Sequence, residues 1–289
     1  MKNKILVVYH RVDLDGIGSA YLVYKHYRDI FTVEFLPYNY GEYKNLNINF
    51  QQYSKIFMVD ILDKPFVDIL LNQEHVIPLF IIDHHQHDLR YIDELKYNNN
   101  VTIIHNTHFA AIQIVSEHLF GFKPLFVELL GDYDRWNNED KYYWNERVLP
   151  FQMYARTFIK SPTDKELDRM YYSDYYVEEC IKKGKGILEY DKKLREDTIK
   201  EYMFEIEFEG YKVIACNTTL RGSQLFEPVW NENKYDLMIV FHYEPKLKKW
   251  TYHIYTTKTN EIDCSKIAKK YGGGGHKGAA GFQVDCNLF

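Results

Sequence analysis

The chain is poor in the features that mark secreted, membrane-spanning and nucleic-acid-coating proteins. Only four cysteines occur in 289 residues, at Cys180, Cys216, Cys264 and Cys286. They are too scattered for a paired metal-ligand motif and read as reduced intracellular thiols. The opening Met1-Lys2-Asn3-Lys4-Ile5 leads into a brief apolar run before His10-Arg11, the pattern of a first strand and not of a secretory signal. No stretch approaches the roughly 18 apolar residues that a membrane span needs. The expectation is a cytoplasmic protein without a membrane partner. Positive charge is also in deficit, with 36 Lys and Arg against 41 Asp and Glu, a net charge of -5. A protein that coats long nucleic acid carries a basic surface, because neutralising phosphates supplies most of its affinity. Clusters at Lys182, Lys183, Lys185 and at Lys246, Lys248, Lys249 are local. A small substrate held by a few aimed groups fits better than a long duplex. Internal repeats are absent, and the only low-complexity tract is the glycine run at 272–275.

What is present suits two domains, one larger than the other. Lys4–His10 is a continuous apolar run ending in polar residues, the mark of a buried parallel strand. A helix is expected from Gly16 to Tyr27. Further strands are expected at Thr32–Tyr38, Lys55–Asp60, Leu79–Asp83 and Val101–Ile104, with helical segments between most of them and another from Ala110 to Leu119. Alternation of this kind implies βαβ units and a mostly parallel sheet flanked by helices. A charged, helical stretch from Asp164 to Tyr202 follows. Beyond a boundary near residue 203 come short alternating strands at Phe204–Phe208, Tyr211–Cys216, Leu237–His242 and Trp250–Thr256, a smaller α/β domain. The fold class is therefore α/β.

The chemistry-bearing residues fall at strand ends. His10, Asp60 and Asp83-His84-His85 each end an expected strand, and open α/β sheets bind ligands outside those carboxyl ends. The first group, His10-Arg11-Val12-Asp13-Leu14-Asp15-Gly16, puts one imidazole and two carboxylates in a strand-to-helix turn. That donor set suits manganese or a similar ion, although Asp13 or Asp15 also reads as a helix N-cap. Asp60 alone would be an ordinary turn former; its company at the sheet edge raises it. In the triplet, successive strand residues face opposite ways. One histidine can then bind metal while the other faces substrate, with Asp83 orienting a ring. Two hydrogen-bonded core histidines are the plainer reading. His75, His87, His105 and His108 read as surface or local polar residues. In Gly131-Asp132-Tyr133-Asp134, Asp132 supplies a last carboxylate, with Asp134 as the alternative and a helix-end turn as the bland case. Finally, Gly272-Gly273-Gly274-Gly275-His276-Lys277 lets backbone N–H groups approach an anion closely, the alternative being a flexible linker.

These five motifs, in this order from His10 to Phe282, resemble the DHH phosphoesterase family, in the subfamily with a DHH-associated C-terminal domain. The triplet is the family's namesake, and Gly272-Gly273-Gly274-Gly275-His276 resembles the signature of that C-terminal domain. The resemblance implies a catalytic metal-binding domain at 1–185, a connecting helix at 186–203 and a substrate-binding domain at 204–289, with the active site in the cleft between the two domains. It implies two manganese ions, with magnesium or cobalt as substitutes. One would be held by His10, Asp13 and Asp60, the other by Asp15, Asp60, His84 and Asp132. Asp83 and His85 would be catalytic, with His85 near the scissile phosphate. Gly273, Gly274, Gly275, His276 and Lys277 would bind the substrate's terminal phosphate or nucleotide.

The chemistry so implied is hydrolysis by a water activated between two metal ions. The substrates would be short oligonucleotides or 3′,5′-bisphosphate nucleotides, as in the family's oligoribonuclease branch. The absence of a sensor or membrane segment before His10 argues against the membrane-bound cyclic-dinucleotide branch, and the glycine-histidine motif against the pyrophosphatases. A phosphodiesterase for cyclic or linear signalling dinucleotides is the first alternative, and a non-catalytic nucleotide-binding protein the second. Relatives imply a homodimer. One departure stands out: where several relatives carry Ser-x-Arg, this chain has His253-Ile254-Tyr255. Tyr255 would then stack on substrate, with Arg221 or Lys277 supplying charge.

Overall fold

The structure, a computed structural model, describes residues 4–73 and 75–289. Residues 1–3 of the expected first-strand segment lie outside the described residues. The chain divides into two units, Met1–Leu188 and Glu189–Phe289.

The first unit holds five strands: β1 (Lys4–His10), β2 (Thr32–Tyr38), β3 (Tyr53–Val59), β4 (Leu79–Asp83) and β5 (Val101–His105). All pair in parallel, in the order β2-β1-β3-β4-β5. Between and after them run α1 (Leu14–Tyr27), α2 (Lys64–Leu71), α3 (Leu89–Lys96), α4 (Ala111–Phe120) and α5 (Leu125–Asp134). Then come the single turn α6 (Lys141–Tyr143), α7 (Leu149–Phe158), α8 (Lys165–Tyr172) and α9 (Asp174–Tyr202). Helix α1 begins two residues before the expected Gly16, which places Asp15 in its first turn. The expected helical stretch from Asp164 is two helices, parted near Ser173.

Strand periodicity explains why β1 is apolar throughout. Ile5, Val7 and Tyr9 face a core built with Tyr21, Leu22, Ile112, Phe126 and Leu130. Leu6 and Val8 face the opposite core, with Phe66, Val67, Ile92 and Leu95. Both sheet faces are covered, so alternation gives way to a continuous run. Each fully buried aliphatic contributes about 1.5–3 kcal/mol relative to exposure. That reservoir offsets the polar groups buried at the strands' carboxyl ends. With β2 on one side of β1 and β3 on the other, the sheet has its topological switch point between β1 and β3.

The second unit is a six-stranded mixed sheet in the order β10-β11-β9-β8-β7-β6. Its strands are β6 (Met203–Phe208), β7 (Tyr211–Asn217), β8 (Leu237–Glu244), β9 (Lys249–Tyr255), β10 (Gly274–Gly275) and β11 (Ala279–Val284). Only β7 and β8 run parallel. Helix α10 (Cys264–Lys270) covers one face through Ile267 and Ala268. Leu225, Phe226 and Tyr235 cover the other. All four cysteines are free thiols, with Cys286 exposed and the other three buried. Among the described residues no helix is long and apolar enough to cross a membrane.

The two glycines of α9 in the first unit have opposite roles. A Cβ on Gly184 would stand 1.8 Å from the Pro150 carbonyl oxygen, whereas one on exposed Gly186 would meet nothing within 4 Å. Gly184→Ala is expected to destabilise by about 1–3 kcal/mol, the usual range for overpacking. Gly186→Ala is expected to stabilise by about 0.5–1 kcal/mol through reduced chain entropy. Denaturant melts of the two variants check the pair, and equal effects would contradict the packing described for α9.

Candidate metal centre

The carboxyl ends of β1, β3 and β4 bring His10, Asp60 and the Asp83-His84-His85 triplet together at one sheet edge. Asp60 follows β3 in a left-handed conformation, φ 58°, which Asp tolerates better than most residues. Its backbone N–H donates to Ile82 O at 2.9 Å. Its carboxylate lies between histidines from two directions. His10 Nδ1 is 3.4 Å from Asp60 Oδ2, and His84 Nε2 is 3.3 Å from Asp60 Oδ1. His10 Nδ1 is also 3.5 Å from Asp13 Oδ2. His84 Nε2 is 3.5 Å from Asp15 Oδ2 and 3.3 Å from Asp134 Oδ2.

Two groups result: His10, Asp60 and His85, then Asp15, His84 and Asp134, each with its donor atoms within 4.8 Å of one another. The spacings have a ready meaning. Ligands about 2.1 Å from one ion, set at octahedral to tetrahedral angles, stand about 3.0–3.4 Å apart. Asp60 is only 1% exposed. Neither of its carboxylate oxygens, nor His10 Nδ1, has a hydrogen-bond partner among the described residues. A buried carboxylate left in that state costs several kcal/mol. Burial, and then the neighbouring carboxylates of Asp13 and Asp83, push Asp60 well above its ordinary range. Burial, followed by Asp60 and Asp134, does the same to Asp15, and burial raises Asp134. A hard set of carboxylate and imidazole donors with no thiolate fits manganese, magnesium or a similar divalent cation.

Other residues hold this centre in place. Asp13 caps α1 by accepting from Gly16 N at 3.1 Å through Oδ1, leaving Oδ2 for the cluster. Asp13 is thus the N-cap of α1, with its second oxygen turned toward His10. Asp15 does not cap its own helix. It accepts from Ala111 N and Ile112 N at 2.8 and 2.7 Å, at the positive end of α4. Asp83 accepts from His85 Nδ1 at 2.8 Å and pairs with His87 Nε2 at 2.7 Å. Burial works against it, but these bonds outweigh burial and hold Asp83 below the usual carboxylate range. The Asp83 hydrogen bond in turn raises His85 above the ordinary histidine value, against the opposing effect of burial. His105, paired with Asp83 in the sheet register, donates from Nε2 to the His85 carbonyl at 2.6 Å.

One expectation needs correction. Asp132 is not in the cluster; its Oδ1 accepts from Asn137 Nδ2 at 2.9 Å. Residues two apart on a helix face different ways, and Asp134 extends the buried Val127–Leu130 stripe of α5 at i, i+3, i+7. That spacing was the signal for Asp134. His87 and His105, expected as surface or local polar residues, are half-buried and bond to the triplet, His87 to the Asp83 carboxylate and His105 to the His85 carbonyl.

The residues expected to meet substrate lie in the second unit. Gly273 permits close packing, since a Cβ there would be 2.2 Å from Gly281 O. Gly274 and Gly275 form β10, so the segment is ordered and not a linker. Gly273 N and His276 N donate to Ala268 O and Ala279 O, so neither is free for an anion. His276 and Lys277 are exposed at the following turn. Tyr255 Oη accepts from Gly222 N at 3.1 Å, fixing the loop beside exposed Arg221.

Residues 4–133 match the model described as the DHH family, N-terminal domain. Over this stretch, a little under half of the chain, the sequence is similar to that domain. Asp134 lies one residue past the matched segment. An uncharacterized protein of Acanthamoeba polyphaga mimivirus, R106, is 25% identical over 293 residues, covering 96% of this chain and 66% of its own length. The chain thus spans just under two-thirds of that relative. Among solved structures, a pGpG-specific phosphodiesterase from Vibrio matches with a TM-score of 0.54 at 14% identity, over 98% of this chain and 93% of its own. The DHH domain of a member of the S1p family of ribosomal proteins gives 0.57 at 11%, over 96% and 82%. Manganese-bound exonuclease RecJ gives 0.52 at 12%, over 98% and 86%. At these identities the likeness is one of fold, in both units.

The cluster carries a stability signature. Asp15 and Asp60 keep their protons in the folded chain at pH values where the unfolded chain has lost them. Stability of the cation-free protein is therefore full below the ordinary carboxylate value of about 3.9 and falls as pH rises through the raised values. Asp60→Asn removes one such charge. In chelator at neutral pH the variant is expected to melt above wild type. Manganese at 100 times its Kd should stabilise wild type by about 2.7 kcal/mol and leave the variant unmoved. A variant that melts lower in chelator, or that still responds to manganese, would contradict this description.

Proposed function

We propose that the protein is a phosphodiesterase dependent on two divalent cations, manganese by preference, that hydrolyses short oligonucleotides or small nucleotides. The carrying observation is the buried Asp60 carboxylate, unpartnered and flanked by His10 on one side and His84 on the other. His10, Asp13 and Asp60 would hold one ion, and Asp15, Asp60, His84 and Asp134 the other. Bound there, divalent cations supply charge neutralisation for a phosphodiester and acidify a water.

The chain's own groups do the rest. Asp83 takes the Nδ1 proton of His85 in a hydrogen bond, which fixes the ring and leaves Nε2 for substrate. The raised His85 value favours a proton on that nitrogen, suited to the oxygen that leaves phosphorus as water adds and the P–O bond breaks. His87 and His105 hold Asp83 and the His85 backbone in register. The apolar walls of β1 and β3 keep bulk water from the buried side of the centre. In the second unit, exposed His276, Lys277 and Arg221 are groups able to bind a phosphate or nucleotide.

The likeness to a pGpG-specific phosphodiesterase supports a dinucleotide-sized substrate, and a linear signalling dinucleotide is the second reading. Hydrolysis of a labelled RNA dinucleotide and of a 3′,5′-bisphosphate nucleotide, with manganese and with chelator, tests the proposal. Turnover is expected with manganese only. Asp134→Ala should lower kcat/KM by on the order of 100-fold or more, the scale of a lost electrostatic group in an active site. Asp132→Ala should stay close to wild type. Turnover in chelator, or loss on Asp132→Ala with Asp134→Ala active, would refute the assignment.

A further inference from the structure

The residue two positions past Asp134 is out of place by the ordinary rules of helix endings. Helix α5 closes with Arg135 in right-handed conformation, and Trp136 follows at φ 55°. Its N–H donates to Tyr133 O at 3.1 Å, and Asn137 N donates to Asp132 O at 2.9 Å. This left-handed position after a helix is normally glycine, because a side chain there crowds the backbone. A bulky residue held so is an outlier, and such outliers cluster at functional sites.

Packing does not account for it. Trp136 is 55% exposed, while its neighbour Trp144 is buried. Trp144 meets Trp136 edge-on at 5.0 Å and stacks on Tyr133 at 5.7 Å with 5° between planes. The indole is thus braced by two aromatic neighbours, Tyr133 and Trp144, while more than half of its residue surface stays exposed. Beside it, Arg135 lies over exposed Phe109, its Cζ 5.9 Å from the ring centroid. Phe109 immediately precedes the α4 turn whose N–H groups bind Asp15. Both aromatics are therefore chained to the Asp15–His84–Asp134 half of the centre. Two peptide steps of 3.8 Å keep the Trp136 Cα within about 7.6 Å of the Asp134 Cα.

We propose that Trp136 is a stacking platform for a nucleobase of the substrate, with Arg135 beside it for the adjoining phosphate. Bases stack on an exposed aromatic without regard to sequence, and a neighbouring cation tracks the backbone. The platform rests on the phosphodiesterase reading and narrows it to substrates that carry a base next to the scissile phosphate.

The test pairs Trp136→Ala and Trp136→Phe with a base-bearing RNA dinucleotide and its counterpart lacking the base on one side or the other. On the full dinucleotide Trp136→Ala should raise KM by about tenfold or more, the scale of one lost base stack, with kcat little changed. Trp136→Phe should recover most of the loss. One of the two base-lacking substrates should be cleaved equally by wild type and variant. Calorimetric titration with phosphonate-linked, non-hydrolysable versions reads the same difference without turnover. Absence of turnover in wild type, with tenfold weaker binding by Trp136→Ala, would sink the phosphodiesterase reading and keep the platform. Equal binding by wild type and variant, or a loss as large on both base-lacking substrates, would overturn the platform.

Discussion

The buried carboxylate of Asp60 is the constraint on which the first unit turns. A carboxyl group shielded from water and given no hydrogen bond is among the most expensive groups in a fold to ionise. Here it is held by a left-handed backbone, by a strand on each side, and between two imidazoles. Every nearby acid adds to the cost, as the raised values of Asp15, Asp60 and Asp134 show. On the proposed reading, a divalent cation on each side of Asp60 would convert the same arrangement from a liability into a binding site. That reversal would account for both the choice of residues and their unsatisfied state.

The sheet makes the arrangement possible. Parallel strands point all their carboxyl ends one way, so residues 10, 60 and 83 meet although they are far apart in the chain. The register sets Asp83 beside His105, and the β4 ending adds His87 behind it. The positive end of α4 faces Asp15, and α5 delivers Asp134. Four strands and three helices thus converge, and the apolar cores on both sheet faces supply the stability against which this polar edge is set. In the second unit the glycine run serves first to let β10 and the preceding turn lie against β11. Its exposed histidine and lysine follow from that geometry.

Much of this was readable from residue order, and the failures have physical causes. Strand ends could be placed because β1, β3 and β4 are unbroken apolar runs that stop at a charged or imidazole residue. Asp13 and Asp15 could be singled out but not separated, since capping and cluster-facing roles depend on which backbone N–H groups come near. The Asp132 and Asp134 choice failed because both follow an apolar segment. Only helix phase, counted from Val127 and Leu130, tells them apart. His87 and His105 were passed over because their partner, Asp83, reaches them through a turn and a neighbouring strand. Tyr255 was expected to stack on substrate; what the residue order did not show is that its hydroxyl accepts from Gly222 N. Trp136 carried no sequence signal at all, since its oddity is a backbone angle.

Anomalous diffraction from crystals grown with manganese tests the central claim most directly. The account predicts two peaks about 3.5–4 Å apart, the usual spacing of a two-metal site. Asp60 should reach both ions, His10 and Asp13 one, and His84, Asp15 and Asp134 the other, with Asp132 touching neither. A single ion, or a pair that leaves the Asp60 carboxylate uncoordinated, would contradict it.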